Sequence, residues 1–240
     1  MKKNQIQKST ILLTLILTIF LAIASGCLET PETKAALINP DELSTYGWEQ
    51  VGDVTYESHV QEIQNVTELS INIATAVYQD REFTESVLQD MQNLQGGNID
   101  FTANIPIMAP QMITVRVALP AGIELPADVA AEIINSQMET IFTQNDVEDL
   151  MEVKATEINL NDGSTATTGI YSGKMGTGNT SINVTGIIAL WSNSNSNTIV
   201  AGIIPDGQIA LPDENNEQTL LSIDGDQEMN EIIEMIKTIN

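Results

Sequence analysis

Oxygen ligands are the chemistry this chain holds in quantity: 33 of its side chains are Asp or Glu. One candidate stretch is Asp224-Gly225-Asp226-Gln227-Glu228, whose carboxylates could serve calcium, an ion that takes about six to eight oxygen ligands. It departs from the EF-hand loop, which sets glycine sixth and glutamate twelfth. A chain this acidic produces such clusters by composition alone. An acid just ahead of an apolar-periodic run also suits a helix N-terminus, where the backbone N–H groups lack partners. Asp224 or Asp226 is therefore read as a helix cap. Asp146, Glu148, Asp149 and Glu152 are read as a solvated face. The sequence assigns no metal ligand and no cofactor.

Other catalytic chemistries find little to work with. His59 is the one histidine, so a multi-histidine metal site is absent, and a Ser–His–Asp triad would rest on it alone. Its place near the end of a predicted strand, between Glu57 and Glu62, reads as a surface or edge position. Gly173-Lys174-Met175-Gly176-Thr177-Gly178 has the glycines and lysine of a phosphate loop. It lies in a predicted hairpin rather than between a strand and a helix, so it reads as a flexible turn. A carboxylate pair for glycoside hydrolysis depends on a spatial separation that no sequence displays. The chain is poor in the aromatic residues that line sugar clefts, and Trp48 and Trp191 read as core anchors.

Cys27, the only cysteine, ends a leader of familiar layout. Lys2, Lys3 and Lys8 give a basic start. Ile11 to Ala24 is an apolar run of 14 residues, short of the roughly 20 that a spanning helix needs. Ser25 and Gly26 are small enough for a peptidase. Ala24-Ser25-Gly26-Cys27 resembles the lipobox of prokaryotic lipoproteins, with Ala24 where that motif usually has leucine. The resemblance implies cleavage before Cys27 and a lipid on its sulfur. A thiol is what such a reaction needs, because its thiolate is a strong nucleophile. The competing readings are an ordinary signal peptide with a chance cysteine and an uncleaved anchor helix. Each of them puts the remaining chain outside the cytoplasm.

The expected organisation is a signal peptide over 1–26, a polar tether over 27–36 and a single α+β domain over 37–240. Lys2, Lys3 and Lys8 leave with the signal. The remaining 214 residues then carry six basic and 33 acidic side chains, a formal charge of −27. Such a surface repels nucleic acid and anionic lipid headgroups, both of which need positive patches. It resembles the surfaces of proteins from salt-loving archaea. With Cys27 lipidated no thiol remains for a disulfide, so the domain is held by packing. Asn65, Asn179 and Asn183 each open an Asn-x-Ser/Thr acceptor for N-glycosylation.

The elements follow from periodicity and punctuation. Asn39-Pro40-Asp41-Glu42 opens a brief helix. Trp48–Val60 reads as a strand, interrupted by a turn or bulge at Val51–Val54. Thr67–Val77 alternates, with Leu69, Ile71, Ile73 and Val77 on one face. The two strands are expected to pair. Phe83–Leu94 reads as a helix capped by Thr84, with Phe83 and Leu88 as a hydrophobic staple and Gly96-Gly97 as its stop. Met112–Leu119 alternates again. Pro126 opens a helix to Phe142, with Ala130, Ile134, Met138 and Ile141 along one side. Val147–Leu160 reads as a strand in which Met151, Val153 and Ala155 share a phase that slips at a bulge near Thr156-Glu157. Asn161-Asp162-Gly163 turns it into Thr165–Lys174. A second hairpin pairs Ser181–Trp191 with Asn197–Ile204 across Ser192–Ser196. A final helix carries Met229, Ile232, Ile233 and Ile236 inward.

Strands in adjacent runs favour an antiparallel sheet with about three packing helices. That order resembles two groups: archaeal lipobox proteins of unknown function, and the Mog1/PsbP-like fold. The implied role is a lipid-anchored, non-catalytic surface module, bound to membrane lipid through Cys27 and to an envelope protein partner, but not to nucleic acid. A solute- or ion-binding lipoprotein serving a membrane complex is the first alternative, and a carboxylate-pair hydrolase the second. The charge makes a direct prediction. Self-repulsion is screened within about 3 Å at 1 M salt, so the thermal midpoint should rise between 0.1 and about 2 M KCl. Equal stability at both ends of a salt titration would refute the salt-adapted reading.

Overall fold

The computed structural model describes residues 32–63, 67–94, 109–120, 125, 129, 133, 147–175, 182–193, 196–212 and 218–239. These form helix α1 (Pro40–Thr45), strands β1 (Trp48–Gln50), β2 (Thr55–Ile63) and β3 (Thr67–Asp80), helix α2 (Arg81–Leu94) and strand β4 (Gln111–Ala118). There follow β5 (Val147–Asn159), β6 (Thr165–Met175), β7 (Ile182–Asn193), β8 (Ser196–Pro212), β9 (Gln218–Ile223) and helix α3 (Gly225–Lys237). The sheet runs β1-β3-β4-β8-β7-β6-β5, with β2 also on β3 and β9 on β8. Every pairing is antiparallel. Among the described residues no helix is long and apolar enough to cross a membrane.

Antiparallel sheets often leave one face to water, but here the central strands are buried on both. Strand alternation sends Ile71, Ile73, Ile113, Val115, Val117 and Ile199 to one core, where Phe83 of α2 and the helical residues Val129 and Ile133 meet them. The opposite phase sends Ala76, Tyr78, Met112, Val200 and Ile204 to a second core under α3. Ile232, Met235 and Ile236 of that helix are fully buried. The helix comes close because Gly202 of β8 has no side chain: a Cβ there would sit 3.2 Å from Ile232 Cδ1 and 3.0 Å from Ile187 Cγ2. The polar tether expected over 27–36 gives way to packed chain at Ala36, which is fully buried. Thr114 donates to the Ala36 carbonyl at 2.6 Å, and Ile38 N–H to the Tyr78 hydroxyl at 3.3 Å.

Local signals are met at several places. Asn39 caps α1 by accepting from Asp41 N–H, with Pro40 at the first turn. The Val51–Val54 interruption stands between β1 and β2, where Gly52 has φ 73°. β2 and β3 pair as expected, from Thr55↔Thr75 to Ile63↔Thr67. The Asn161–Gly163 turn closes with Leu160 N–H to Ser164 O at 2.9 Å and Gly163 at φ 88°. Asp162 accepts from both the backbone N–H and the hydroxyl of Ser164, and these bonds lower its pKa. Trp48 and Trp191 are core residues.

Other expectations are corrected. α2 starts before Thr84: Asp80 Oδ1 accepts from Phe83 N–H at 2.8 Å, and Thr84 merely donates back to the Asp80 carbonyl. An aspartate serves better because its ionised oxygen is a stronger acceptor toward a helix N-terminus. The slips in β5 fall at Glu148/Met151 and Glu152/Lys154 rather than near Thr156, and Asp149 takes φ 55°. Met151 and Val153 consequently stand 67% and 60% exposed, while Ile158 and Leu160 enter the second core. Gly173, Lys174 and Met175 belong to β6 rather than to a turn, and Met175 is buried. β7 and β8 run through most of the polar Ser192–Ser196 segment, to an Asn193↔Ser196 pair. β8 continues past Ile204 to pair with β9, a strand the sequence reading lacked. Gly96-Gly97, Pro126, Ala130, Ile134, Met138 and Ile141 lie outside the described residues, as do the side chains of Leu69 and Leu88.

Ile232→Ala should destabilise the protein by about 2–5 kcal/mol, the usual result of emptying a packed site. Val153→Ala, at an exposed position, should stay within about 0.5 kcal/mol. Urea unfolding of the two variants checks both.

Candidate functional site: a buried carboxylate triad

Where β3 hands over to α2, two helices and two strands converge on acids. Asp80 is the last residue of β3 and shares its side-chain phase with Ala76 and Tyr78, so it points to the α3 side of the sheet. One of its oxygens caps α2 through Phe83 N–H. Trp48 of β1 is its cross-strand partner. Gly47, just before, takes φ 73° and its carbonyl accepts from Arg81 and Glu82 N–H, tying the β1 end to the first turn of α2.

From the other side, α3 presents Glu228 and Glu231. The helix is capped by Asp224, which accepts from Gln227 N–H at 3.3 Å. Glu228 stands one turn before Ile232 and so heads the apolar stripe rather than the solvated face. It is 8% exposed and Asp80 2%. One carboxylate oxygen from each of Asp80, Glu228 and Glu231 lies within 4.8 Å of the others. Glu231 also lines an open depression of about 470 Å³ with Tyr46, Asp224, Asp226, Asn230 and Glu234.

This arrangement crowds negative charge into a poorly hydrated place. Burial raises the Glu228 pKa from its ordinary 4.5 to about 8, helped by its hydrogen bond to Asp80 and by the charges of Asp80, Glu231 and Asp224. Burial also raises Asp80, against the lowering effect of the Phe83 N–H and of Glu228. Glu231 is raised by burial too, with Asp80 and Glu82 adding to the rise and Gln227 and Trp48 opposing it. Burial and the neighbouring carboxylates thus favour the neutral form of Glu228. At this site two buried polar atoms, Glu228 Oε2 and Trp48 Nε1, lack a hydrogen-bond partner among the described residues. The ion pairs seen among the described residues lie elsewhere, at Arg81 with Glu49 and Glu85, Lys237 with Glu234, and His59 with Glu57.

The residues singled out from sequence scatter differently. Asp224 caps and Asp226 is exposed, as a helix start predicts, but Glu228 of the same stretch turns inward. Glu148, Asp149 and Glu152 are exposed on β5, far along the sheet from β3. His59 is exposed on β2, 3.1 Å from Glu57. Asn183 is exposed on β7, while Asn65, Asn179, Asp146 and Cys27 lie outside the described residues. Sequence reasoning missed Asp80 altogether. Its signal was an acid in phase with Ala76 and Tyr78, directly ahead of a helix.

A family model described as Domain of unknown function (DUF6517) matches residues 35–240. No curated protein and no solved structure matches the chain.

A carboxyl whose pKa is higher folded than unfolded stabilises the fold while protonated in both states, and that stability is lost as pH rises through the folded value. In EDTA, unfolding free energy should therefore fall by on the order of a few kcal/mol between pH 5 and 9. Glu228→Gln should remove most of this slope, which paired urea titrations at the two pH values measure.

Proposed function

The chain belongs to the DUF6517 family, and we propose that it is a lipid-anchored extracytoplasmic domain acting as a structural or interaction module of the cell envelope. One observation carries the reading: a basic start, a 14-residue apolar run and small residues lead to the sole cysteine, Cys27. The family match begins at residue 35, so the leader and Cys27 fall before the shared domain. Anchoring would take at least two acyl chains, since one binds membranes only marginally. The acidic surface fits the salt-loving archaeal source that the composition resembles. The Mog1/PsbP-like comparison rests on the antiparallel sheet with helices against both faces.

The interaction role draws on the sheet edges. β2 bonds to β3 and β5 to β6, and each carries exposed apolar side chains: Tyr56 and Val60 on β2, Met151 and Val153 on β5. Among the described residues no second strand pairs with either, and edges with apolar side chains are the surfaces on which other chains add strands. What speaks against a carboxylate-pair hydrolase is the closeness of the triad. One oxygen of Asp80 lies within 4.8 Å of one of Glu228 and both side chains are buried, a closer and less accessible placement than the roughly 5–5.5 Å of a retaining pair.

Intact mass and detergent partitioning of the native protein, beside Cys27→Ser, test the anchor. The wild type should start at Cys27, carry the added mass of its lipid and enter the detergent phase, while the variant stays aqueous. Identical partitioning with no lipid on either would sink the proposal.

A further inference from the structure

We propose that Asp80, Glu228 and Glu231 bind one hard divalent cation, Ca²⁺ or Mg²⁺, which clamps the first turns of α3 to the end of β3. The site is independent of whether Cys27 carries lipid.

Geometry comes first. Ligands on opposite sides of a calcium ion, at bonds of about 2.3–2.6 Å, stand roughly 5 Å apart. The three carboxylate oxygens all lie within 4.8 Å of one another, so a single ion can touch all three. The donor set is oxygen and anionic throughout, which suits Ca²⁺ and Mg²⁺ over softer transition metals. Glu231 is only partly buried and borders the open depression beside Tyr46, which gives an ion a path from solvent and leaves room for water ligands.

The unpartnered atoms are the second observation. Glu228 Oε2 is a buried acceptor with no donor, in a side chain more than nine-tenths buried. A cation supplies what that oxygen lacks. Trp48 Nε1 is a buried donor with no acceptor, on a residue 3% exposed. Trp48 stands opposite Asp80 across the β1–β3 ladder. Donors of this kind orient metal-bound carboxylates and waters from the next layer out. Closed around an ion, the triad would gain a charge partner and the indole a fixed acceptor. Without one, Asp80 of β3 and two acids of α3 stand close together, two of them buried.

The test uses the full chain, stripped with EDTA and held at constant high ionic strength so that general screening does not change. Calorimetry and thermal melts follow added CaCl₂ or MgCl₂. One saturable ion per chain and a rise in the melting midpoint are expected, and the two salts show which ion is preferred. Glu228→Gln keeps the side-chain shape and relieves repulsion, so it should fold at least as stably as wild type in EDTA. It should bind the ion at least about tenfold more weakly. Glu157→Gln removes an equal charge from an exposed position on β5 and should bind like wild type. Tb³⁺ in place of Ca²⁺ should luminesce on tryptophan excitation, and Trp48→Phe should lose that emission. Absence of saturable one-to-one binding by either ion would overturn the proposal. So would equal responses of Glu228→Gln and Glu157→Gln, which would mean diffuse screening of an acidic surface.

Discussion

Burial of both faces of the central strands is the constraint from which the rest of this molecule follows. β3, β4 and β8 send apolar side chains up and down in alternation, and neither set can be left to water. Each face must therefore be roofed. α3 and the Ala36–Ile38 segment cover one, while Phe83, Val129 and Ile133 pack on the other. The roof over the α3 side is set by Gly202, where a missing side chain lets the helix settle onto β8. With one cysteine in the chain and 33 acids, neither disulfides nor a network of salt bridges can substitute for this packing.

The acidic triad sits where two local demands meet that tertiary structure cannot separate. The last residue of β3 must stop the strand and start a helix, which favours an acid at position 80. The same alternation that buries Ala76 and Tyr78 then turns Asp80 toward α3. α3 in turn needs its first buried stripe position at Glu228 if Ile232, Met235 and Ile236 are to reach the sheet. Neither residue is misplaced by its own element's logic. Only their meeting is costly, and a shared proton or a bound cation are the ways to meet that cost. The spacing of the three carboxylate oxygens suits the second.

Much of the fold was legible from residue order. The alternation of Thr67–Val77 and Met112–Leu119, the Asn161–Gly163 turn and the Ile232/Ile236 stripe all act within one element, where backbone periodicity reports directly on burial. Failures came where a neighbour chose between local options. Thr84 is a good cap in isolation, but Asp80 sits where the strand ends and takes the Phe83 N–H first. The change of phase along Val147–Leu160 reads as a bulge near Thr156-Glu157, yet the slips fall at Glu148 and Glu152, in a register that leaves Met151 and Val153 outside. The polar Ser192–Ser196 run reads as loop, but pairing between β7 and β8 zips it nearly shut. β9 went unseen because its partner, the far half of β8, was itself read as ending at Ile204.

The amino-acid order by itself determined the leader-like stretch ending at Cys27, the acidic surface, most strands and the caps of α1 and α3. Each depends on composition or on groups a few residues apart. What only the tertiary structure decided is which acids become chemistry. Asp224, Asp226 and Glu228 are near neighbours of one type, and their fates differ by helix phase: a cap, a solvated side chain and a buried carboxyl. Asp80 joins the last of these from far along the chain because β3 and α3 pack into one core. Hydrogen bonds and helical spacing are short-ranged, so they can be read along the chain. A site assembled from three elements exists only once packing has brought them together.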